Sequence, residues 1–337
     1  MNKLKEISFP KYNLLLSSIG NILEKGRKHA YVSVNSILVT TYWEIGKKIV
    51  EFEQKGASKA DYGLQLLETL SHDLKKKFGK GFSRSNIYLM RAFYSRYPKI
   101  QTVSGKFTWS HLAELVKIDD KMERQFYENQ TLFEKWSVRE LKRQINSALF
   151  HRIALSKNAK GIVELSKKGS IIQKHSDMIR DPYVFEFLNI PFQKKYSEKE
   201  LEEKIIDNIQ SFLLELGKGF AFINRQYRIT LDNTHYFVDL VFYHIVLKCF
   251  VLIDLKIGKA NHIDIGQMNM YLNYFKREEN SVNDNEPVGI ILASNKDNII
   301  VEYALGGISN KVFVSKYQLY LPDKKMLEEK LKSILNP

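Results

Sequence analysis

Apolar residues recur at intervals of three and four along the first part of the chain, which is the spacing of a helix face. This pattern predicts a helix over Leu14–Glu53. Its predicted buried positions are Leu15, Ile19, Ile22, Val34, Ile37, Leu38, Thr41, Tyr42, Ile45 and Ile49. Further helices are predicted over residues 61–78, from the cap Ser83, and from the capping box Ser137–Glu140. The first part is therefore predicted to be an all-α domain.

After residue 180 the period of the apolar positions changes. Asp181 and Pro182 open a short predicted helix, and residues 197–216 form one amphipathic helix. Three segments then alternate with period two, at residues 220–231, 236–243 and 247–256. Strands at 288–293 and 312–317 alternate with helices at 264–275, 297–305 and from residue 322. This part is predicted to be an α/β domain.

A stretch rich in Lys, Ser and Gly without clear periodicity separates the two parts. It predicts a helical domain over residues 1–155, a linker over 156–180 and the α/β domain over 181–337. The charge is divided in the same way. Residues 1–180 hold 33 Lys and Arg against 17 Asp and Glu, and residues 181–337 hold 19 against 21. A basic surplus also serves solubility, but its confinement to one half predicts a domain that binds nucleic acid or another partner.

Several function classes are not indicated. Cys249 is the single cysteine, so neither an intrachain disulfide nor a cysteine-based zinc site is expected. Pro10 and Lys11 interrupt the apolar stretch near the amino terminus, which does not fit a secretory signal, and we find no run long enough to span a bilayer. The sequence has neither a Walker loop nor a dinucleotide fingerprint. A cytoplasmic protein without a nucleotide cofactor or a membrane partner is expected.

Two aspartates interrupt apolar strands in the second half. Asp239 lies in YFVDLVFYH, and Asp254 and Lys256 lie in CFVLIDLKIGK. Side chains two apart on a strand share a face, so Asp254 and Lys256 project together, and a hairpin would bring Asp239 beside them. A buried carboxylate without a partner costs several kcal/mol, and a divalent cation would remove that cost. The pattern predicts a Mg²⁺ site with Lys256 as a cation that positions water.

Other residues extend this predicted site. On the preceding helix, Glu202 borders the buried stripe and Glu203 lies on the solvent side, so we favour Glu202 as the third carboxylate. Gln267 and Tyr271 are four residues apart on the following helix, from which both could reach the site, Gln267 as a catalytic residue and Tyr271 as a nucleic-acid contact. The alternative is structural: Asp254 and Lys256 form a plain ion pair, and Asp239 is a satisfied polar group at a strand end.

The order of these residues on helix, strand, strand and helix resembles the PD-(D/E)xK nuclease superfamily. Longer phrases, among them YWEIGKKIVEFEQKG, FGKGFSRSN, YFVDLVFYH, IDLKIGK and GQMNMYLNYF, resemble the YhcG-type family of bacterial nucleases over nearly the whole chain. The resemblance implies a helical amino-terminal domain and a restriction-endonuclease-like mixed sheet flanked by helices. It implies Mg²⁺, or Mn²⁺, held by Asp239, Asp254 and Glu202 or Glu203. Val238 stands where the superfamily name has proline.

The resemblance and the charge together predict a Mg²⁺-dependent DNA endonuclease that acts in DNA processing or defence. RNA is an alternative substrate. The protein is expected to act as a homo-oligomer or as a subunit of a restriction or defence complex. Arg84, Asn86 and Arg91 follow a glycine turn and could form a recognition helix, although two helices with such a turn occur in many bundles. The alternative function is an inactive DNA-binding or assembly module on a nuclease-like scaffold.

Overall fold

The computed structural model describes residues 9–55, 60–155, 157–170, 174–191 and 195–335. The chain divides into two compact units, Met1–Arg124 and Gln125–Pro337. Among the described residues, no helix combines the length and hydropathy that crossing a membrane requires.

The first unit is helical, as predicted. Its helices are α1 (Phe9–Lys55), α2 (Ala60–Phe78), α3 (Arg84–Arg96) and α4 (Trp109–Leu115), and α5 (Lys121–Glu134) crosses the division between the units. Ser83 caps α3 as predicted, because its side chain accepts from the Asn86 backbone N–H. Helices α1 and α3 pack closely at Gly46, where an added Cβ would lie 2.0 Å from the carbonyl oxygen of Met90. Val39, Ile49 and Ile87 are buried.

The amino-terminal half of α1 is not buried, contrary to the sequence prediction. Leu15, Ile19, Ile22, Val34, Ile37 and Leu38 are all exposed. The physical reason lies in the length of the helix. Its 47 residues span about 70 Å at 1.5 Å per residue. The contacts that it makes with α3, α4 and their flanking residues, at Asn35, Trp43 and Gly46, lie in its carboxyl-terminal half. Apolar periodicity identified a helix face, but the described residues of the chain do not cover it.

The second unit opens with the short helices α6 (Val138–Asn146), α7 (Leu149–Ala154) and α8 (Ala159–Lys168). Strand β1 (Tyr183–Val184) precedes α9 (Glu198–Asp207) and α10 (Ile209–Leu216). The remaining elements are β2 (Phe220–Leu231), β3 (Thr234–His244), β4 (Cys249–Ala260), α11 (His262–Tyr274), β5 (Val288–Lys296), α12 (Asn298–Leu305), β6 (Lys311–Gln318) and α13 (Lys324–Leu335).

The strands form one mixed sheet in the order β1-β6-β5-β4-β3-β2. The β2–β3 and β3–β4 pairs are antiparallel, whereas β4–β5, β5–β6 and β6–β1 are parallel. Alternate side chains of the strands enter two cores, one packed with residues of α9 and α10 and the other with residues of α11. A mixed sheet flanked by helices confirms the predicted fold class.

Two predicted elements differ from the structure. The short helix predicted from Asp181–Pro182 begins instead as a strand, in which Tyr183 and Val184 pair with Tyr317 and Gln318 of β6 and are fully buried. A single 3-10 turn follows at Glu186–Leu188. A buried strand pairing outweighs local helix propensity here. The helix predicted over 197–216 is interrupted at Asn208, where φ is −118° and ψ is 30°, so α9 and α10 are separate.

Helices α6 and α7 lie in the second compact unit, whereas the sequence predicts a helical domain that extends to residue 155, and that boundary stays a prediction. Arg152 of α7 donates to the buried Glu215 at 2.7 Å, and Arg143 of α6 contacts Glu186 at 2.9 Å and Glu215 at 3.3 Å. Arg143 is thus paired with carboxylates inside the second unit. The predicted linker contains α8.

Candidate active site

The hairpin of β3 and β4 brings Asp239 and Asp254 together. The strands pair Val241 with Leu252 and Leu240 with Ile253, and the same register places Asp239 opposite Asp254 at the next position. There the backbone ladder gives way to a side-chain contact, because the Leu255 N–H donates to Asp239 Oδ2 at 2.8 Å. The structure therefore juxtaposes the two aspartates that the sequence singled out.

Lys256 adds a cation to this pair. Its Nζ lies 2.8 Å from Asp254 Oδ2 and 3.8 Å from Glu198 Oε2. Burial alone would lower the pKa of Lys256, but the adjacent carboxylate of Asp254 outweighs burial and raises it. The lysine therefore stays protonated at neutral pH.

Asp254 has a strongly raised pKa. It is 4% exposed, and burial raises its pKa to about 7, with the charge of Asp239 acting in the same direction and that of Lys256 opposing it. Ionising Asp254 therefore costs free energy when no cation is bound. A carboxylate of this kind is typical of a functional site.

Glu202 of α9 approaches Asp239 through Gln226 of β2. The Gln226 amide donates to Glu202 Oε2 at 2.6 Å and to Asp239 Oδ1 at 3.0 Å. Gln226 has a φ of 47°, and β2 and β3 pair at Arg225 and Tyr227 on either side of it. This left-handed backbone conformation is uncommon for a residue other than glycine, and it accompanies the amide that bridges the two acids.

The structure also distinguishes Glu202 from its neighbour. Glu202 is 4% exposed, whereas Glu203 is exposed. Burial raises the pKa of Glu202, and the Gln226 amide partly opposes that shift. Glu202 Oε1 is buried without a hydrogen-bond partner, and the nearest cation is Arg225 Nε at 3.5 Å. Of the two glutamates, Glu202 is the one that the helix brings to the aspartates.

Helix α11 places Tyr271 beside the cluster. Tyr271 is fully buried, and its hydroxyl donates to the Phe237 carbonyl at 3.0 Å while accepting from Gln267 Nε2 at 2.5 Å. Burial and the charge of Asp254 raise the pKa of Tyr271 to about 12. Gln267 therefore contacts Tyr271, whose hydroxyl binds the carbonyl of Phe237, two residues before Asp239.

Two residues at the site were missed by the sequence analysis, and both had a signal. Glu198 lies four residues before Glu202 on α9, so the two share a helix face, and Glu198 Oε1 accepts from the Ile257 N–H at 2.9 Å. For Gln226, counting back from the two-residue turn Asp232–Asn233 sets it opposite Asp239.

The residues proposed for DNA recognition on α3 have local partners. Arg84 contacts Glu68 at 2.6 Å, and Arg91 donates to both oxygens of Glu53 at 2.7 and 2.9 Å. The Asn86 side chain donates to the Gly81 carbonyl and accepts from Trp109 Nε1 at 3.2 Å. These contacts favour a structural role for Asn86, and groove recognition by α3 stays a prediction.

The cluster fits a hard divalent cation. Its donors are carboxylate oxygens from three elements, the ligand type that Mg²⁺ and Mn²⁺ favour. Three features would be relieved by a bound cation: the orphaned Glu202 Oε1, the raised pKa of Glu202 and the raised pKa of Asp254. The residues present therefore suit the group that the sequence predicted.

Asp254 should make the stability of the metal-free protein depend on pH. Because its pKa is about 7 when folded against an ordinary 3.8, the folded state binds its proton more tightly, and stability is lost as pH rises from about 4 to 7. Asp254→Asn should remove this loss, making the variant more stable than the wild type by roughly 1–3 kcal/mol at pH 8. Urea unfolding in EDTA between pH 5 and 8.5 measures the difference, and a difference that does not grow with pH would contradict the assignment.

Comparison with known proteins identifies the family. Residues 176–333 match the family described as YhcG PDDEXK nuclease domain, and residues 18–152 match the DUF1016 N-terminal domain. The chain is 36% identical over 363 residues to "Putative nuclease YhcG" of Escherichia coli strain K12, covering 98% of this chain and 96% of that protein.

Among solved structures, a repair endonuclease from Pyrococcus abyssi is similar at 21% identity and a TM-score of 0.28, over 39% of this chain and 50% of that chain. A structure of EndoMS with double-stranded DNA is similar at 17% identity and a TM-score of 0.28, over 40% of this chain and 50% of that one. The two family matches and the nearly full-length relative show that the chain belongs to the YhcG family, with a DUF1016 amino-terminal domain and a PDDEXK nuclease domain.

Proposed function

We propose that this nuclease is an endonuclease that hydrolyses phosphodiester bonds of DNA and depends on Mg²⁺, with Mn²⁺ as a substitute, in DNA processing or defence. The observation that carries the proposal is the placement of Asp239 opposite Asp254 with Lys256 bound to the latter. A plain structural ion pair would account for Lys256 and Asp254, but not for the second acid and the orphaned oxygen of Glu202.

Each side chain has a role in this proposal. Asp239, Asp254 and Glu202 hold the cation through carboxylate oxygens. When bound, Mg²⁺ would supply a water of lowered pKa and a positive charge for the phosphate. Lys256, kept protonated by Asp254, orients the attacking water or neutralises a phosphate oxygen. Gln226 holds Glu202 and Asp239 near each other. Tyr271 and Gln267 pack beside the cluster on α11 and are hydrogen-bonded to each other.

The net charge of the chain supports the binding of nucleic acid. The chain carries a net charge of +14, which favours binding to a polyanion. In the nuclease domain, Arg225 and Arg228 are exposed on β2, the edge strand that also carries Gln226. We propose that these basic side chains contact the phosphate backbone of the DNA.

A cleavage assay on several substrates tests the proposal. The full-length protein is incubated with linear duplex DNA, branched DNA, single-stranded DNA and RNA of matched length, each with EDTA, Mg²⁺ or Mn²⁺. We expect internal cuts in at least one DNA form with Mg²⁺ or Mn²⁺, and none in EDTA. Cutting that persists in EDTA, cutting confined to RNA, or binding without cutting would each contradict the proposal, and the last result would favour the inactive module.

Adjacent glutamates give a matched test of the third carboxylate. Glu202→Gln removes a charge that faces Asp239 through Gln226, so we expect cleavage at limiting Mg²⁺ to fall by about 100-fold. Glu203→Gln changes an exposed side chain one position away, and its rate should stay within about twofold of the wild type. Initial rates across a Mg²⁺ titration measure both, and equal effects of the two substitutions would refute the role of Glu202.

A further inference from the structure

The amino-terminal half of α1 exposes an unusual amount of apolar surface. Between Tyr12 and Leu38, twelve large apolar side chains are each 38–72% exposed. They are Tyr12, Leu14, Leu15, Leu16, Ile19, Ile22, Leu23, Tyr31, Val32, Val34, Ile37 and Leu38. A typical monomer exposes no apolar patch larger than about 300–600 Å². Twelve large apolar side chains exposed on one helical segment are characteristic of an interface.

Part of this surface forms a continuous stripe, which we call the α1 seam. It consists of Tyr12, Leu16, Ile19, Leu23, Gly26, Ala30, Val34, Ile37 and Thr41. These positions recur at an average spacing of about 3.6 residues, so they lie along one face of a straight helix. The face that packs within the unit, marked by Val39 and Gly46, lies on the opposite side. The seam is thus free along its whole length in the described chain.

The same face leads into an apolar groove. The carboxyl-terminal half of α1 and helix α2 enclose a groove of about 660 Å³. Ile45, Ile49 and Phe52 of α1 line it together with Leu66, Leu70 and Leu74 of α2. Each copy of the chain therefore carries an exposed apolar helix and, on the same face of that helix, a groove of helix-packing character.

We propose that the α1 seam binds a second copy of this chain, as an antiparallel pair of α1 helices whose two-fold axis passes near Ala30. Ala30 then faces its own copy, Gly26 faces Val34, Leu23 faces Ile37 and Ile19 faces Thr41. Leu15 and Leu16 reach the partner's groove at Glu44 and Ile45. Such a surface is self-complementary, as a two-fold interface requires.

Charge favours this direction and register. Arg27 is the basic residue of segment 25–29 that borders the seam, because Lys25 and Lys28 lie on the opposite side of the helix. In a parallel pair the two copies of Arg27 would lie close together, and their like charges would repel. In the antiparallel pair about Ala30, each Arg27 lies across from Ser33, which carries no charge.

Packing at the crossing point also fits. Gly26 and Ala30 are small and exposed, and a Cβ built at Gly26 has no atom within 4 Å, so another backbone has room to approach. A stable interface buries about 800 Å² on each partner. The seam and the partner's groove at Ile45 and Ile49 together supply the apolar surface for such an interface. The pair goes beyond the proposed function, because it would place two nuclease domains in one particle whatever they cleave.

Sedimentation velocity of the full-length protein at about 10 μM, a concentration typical of such measurements, tests the pairing. We expect twice the chain mass of 39.4 kDa for the wild type. Leu23→Glu places a charge in the seam twice per dimer and should raise the dissociation constant at least about 100-fold, giving monomers. Leu14→Glu is the matched control: Leu14 is 72% exposed but lies on the other side of α1, so this variant should remain dimeric.

Far-UV circular dichroism should be unchanged in both variants, because both positions are exposed. A monomeric wild type, or a Leu23→Glu variant that is folded and still dimeric, would overturn the proposal.

Cysteine cross-linking tests the direction of the pair. Under mild oxidation Ala30→Cys should form a disulfide-linked dimer, whereas Leu16→Cys should not, because the two copies of residue 16 lie about 42 Å apart in the antiparallel arrangement. The native Cys249 is buried and serves as an unreactive background. Self-cross-linking of Leu16→Cys, or none by Ala30→Cys, would overturn the antiparallel pair about Ala30.

Discussion

Replacing Asp254 with asparagine should lower the rate of Mg²⁺-dependent DNA cleavage by about a thousandfold or more. Asp254 is the buried acid that faces Asp239 and binds Lys256 at 2.8 Å, so one substitution removes a proposed metal ligand and releases the lysine. The affinity for DNA and the folded structure should persist, because the amide keeps the size of the carboxylate. Single-turnover cleavage and a gel-shift titration measure the two quantities separately.

The matched control for this variant is Asp232→Asn. Asp232 is exposed in the β2–β3 turn with a φ of 44°, a conformation that asparagine adopts readily. Its cleavage rate should equal that of the wild type within about twofold. If Asp254→Asn cuts as fast as Asp232→Asn, the hydrolytic assignment of this cluster is wrong.

Replacing Glu215 with glutamine should destabilise the second unit by about 3–5 kcal/mol. Glu215 is fully buried, and its side chain accepts from Arg152 at 2.7 Å and from the Val184 backbone N–H at 2.9 Å. Burial would raise the pKa of Glu215, but the charges of Arg152, Arg143 and Arg180 outweigh burial and lower it. Glutamine preserves the shape and leaves buried guanidinium charge uncompensated.

Urea unfolding at pH 7 measures this effect, with Glu203→Gln, an exposed site expected to change stability by less than about 0.5 kcal/mol, as the control. The lowered pKa of Glu215 also determines how its contribution to stability changes with pH. The stabilisation by Glu215 is present above its ordinary value of 4.5 and is lost as acid protonates the folded state. A loss below about 1 kcal/mol for Glu215→Gln would show that the cluster contributes little to stability.

The site was predictable where one strand pairing determined it. An acid on each of two adjacent strands, with a lysine two residues beyond the second, can meet in a hairpin, and the observed register places Asp239 opposite Asp254. The choice of Glu202 over Glu203 followed from the buried stripe of the helix, and burial in the structure agrees with it. Both predictions follow from the two-residue repeat of a strand and the 3.6-residue repeat of a helix, which can be read directly from a sequence.

The features that the sequence did not predict depend on which element, or which partner, packs against a given face. The apolar period of α1 indicated a helix correctly, but the same period describes a face buried within the chain and a face reserved for a partner. The two-residue strand Tyr183–Val184 forms because β6 is available to pair with it, about 130 residues further along the chain. Counting residues back from the β2–β3 turn places Gln226 opposite Asp239. Its left-handed backbone conformation and the amide that bridges the two acids are seen only in the structure.

The metal centre is tested most directly by isothermal titration calorimetry of Mn²⁺ binding to the full-length protein in the absence of nucleic acid. We predict that the wild type binds Mn²⁺ at the acidic cluster and that the double variant Asp239→Asn, Asp254→Asn loses this binding while its unfolding remains cooperative. Equal binding by the folded wild type and the folded double variant would contradict the claim that these carboxylates form the metal centre of the nuclease.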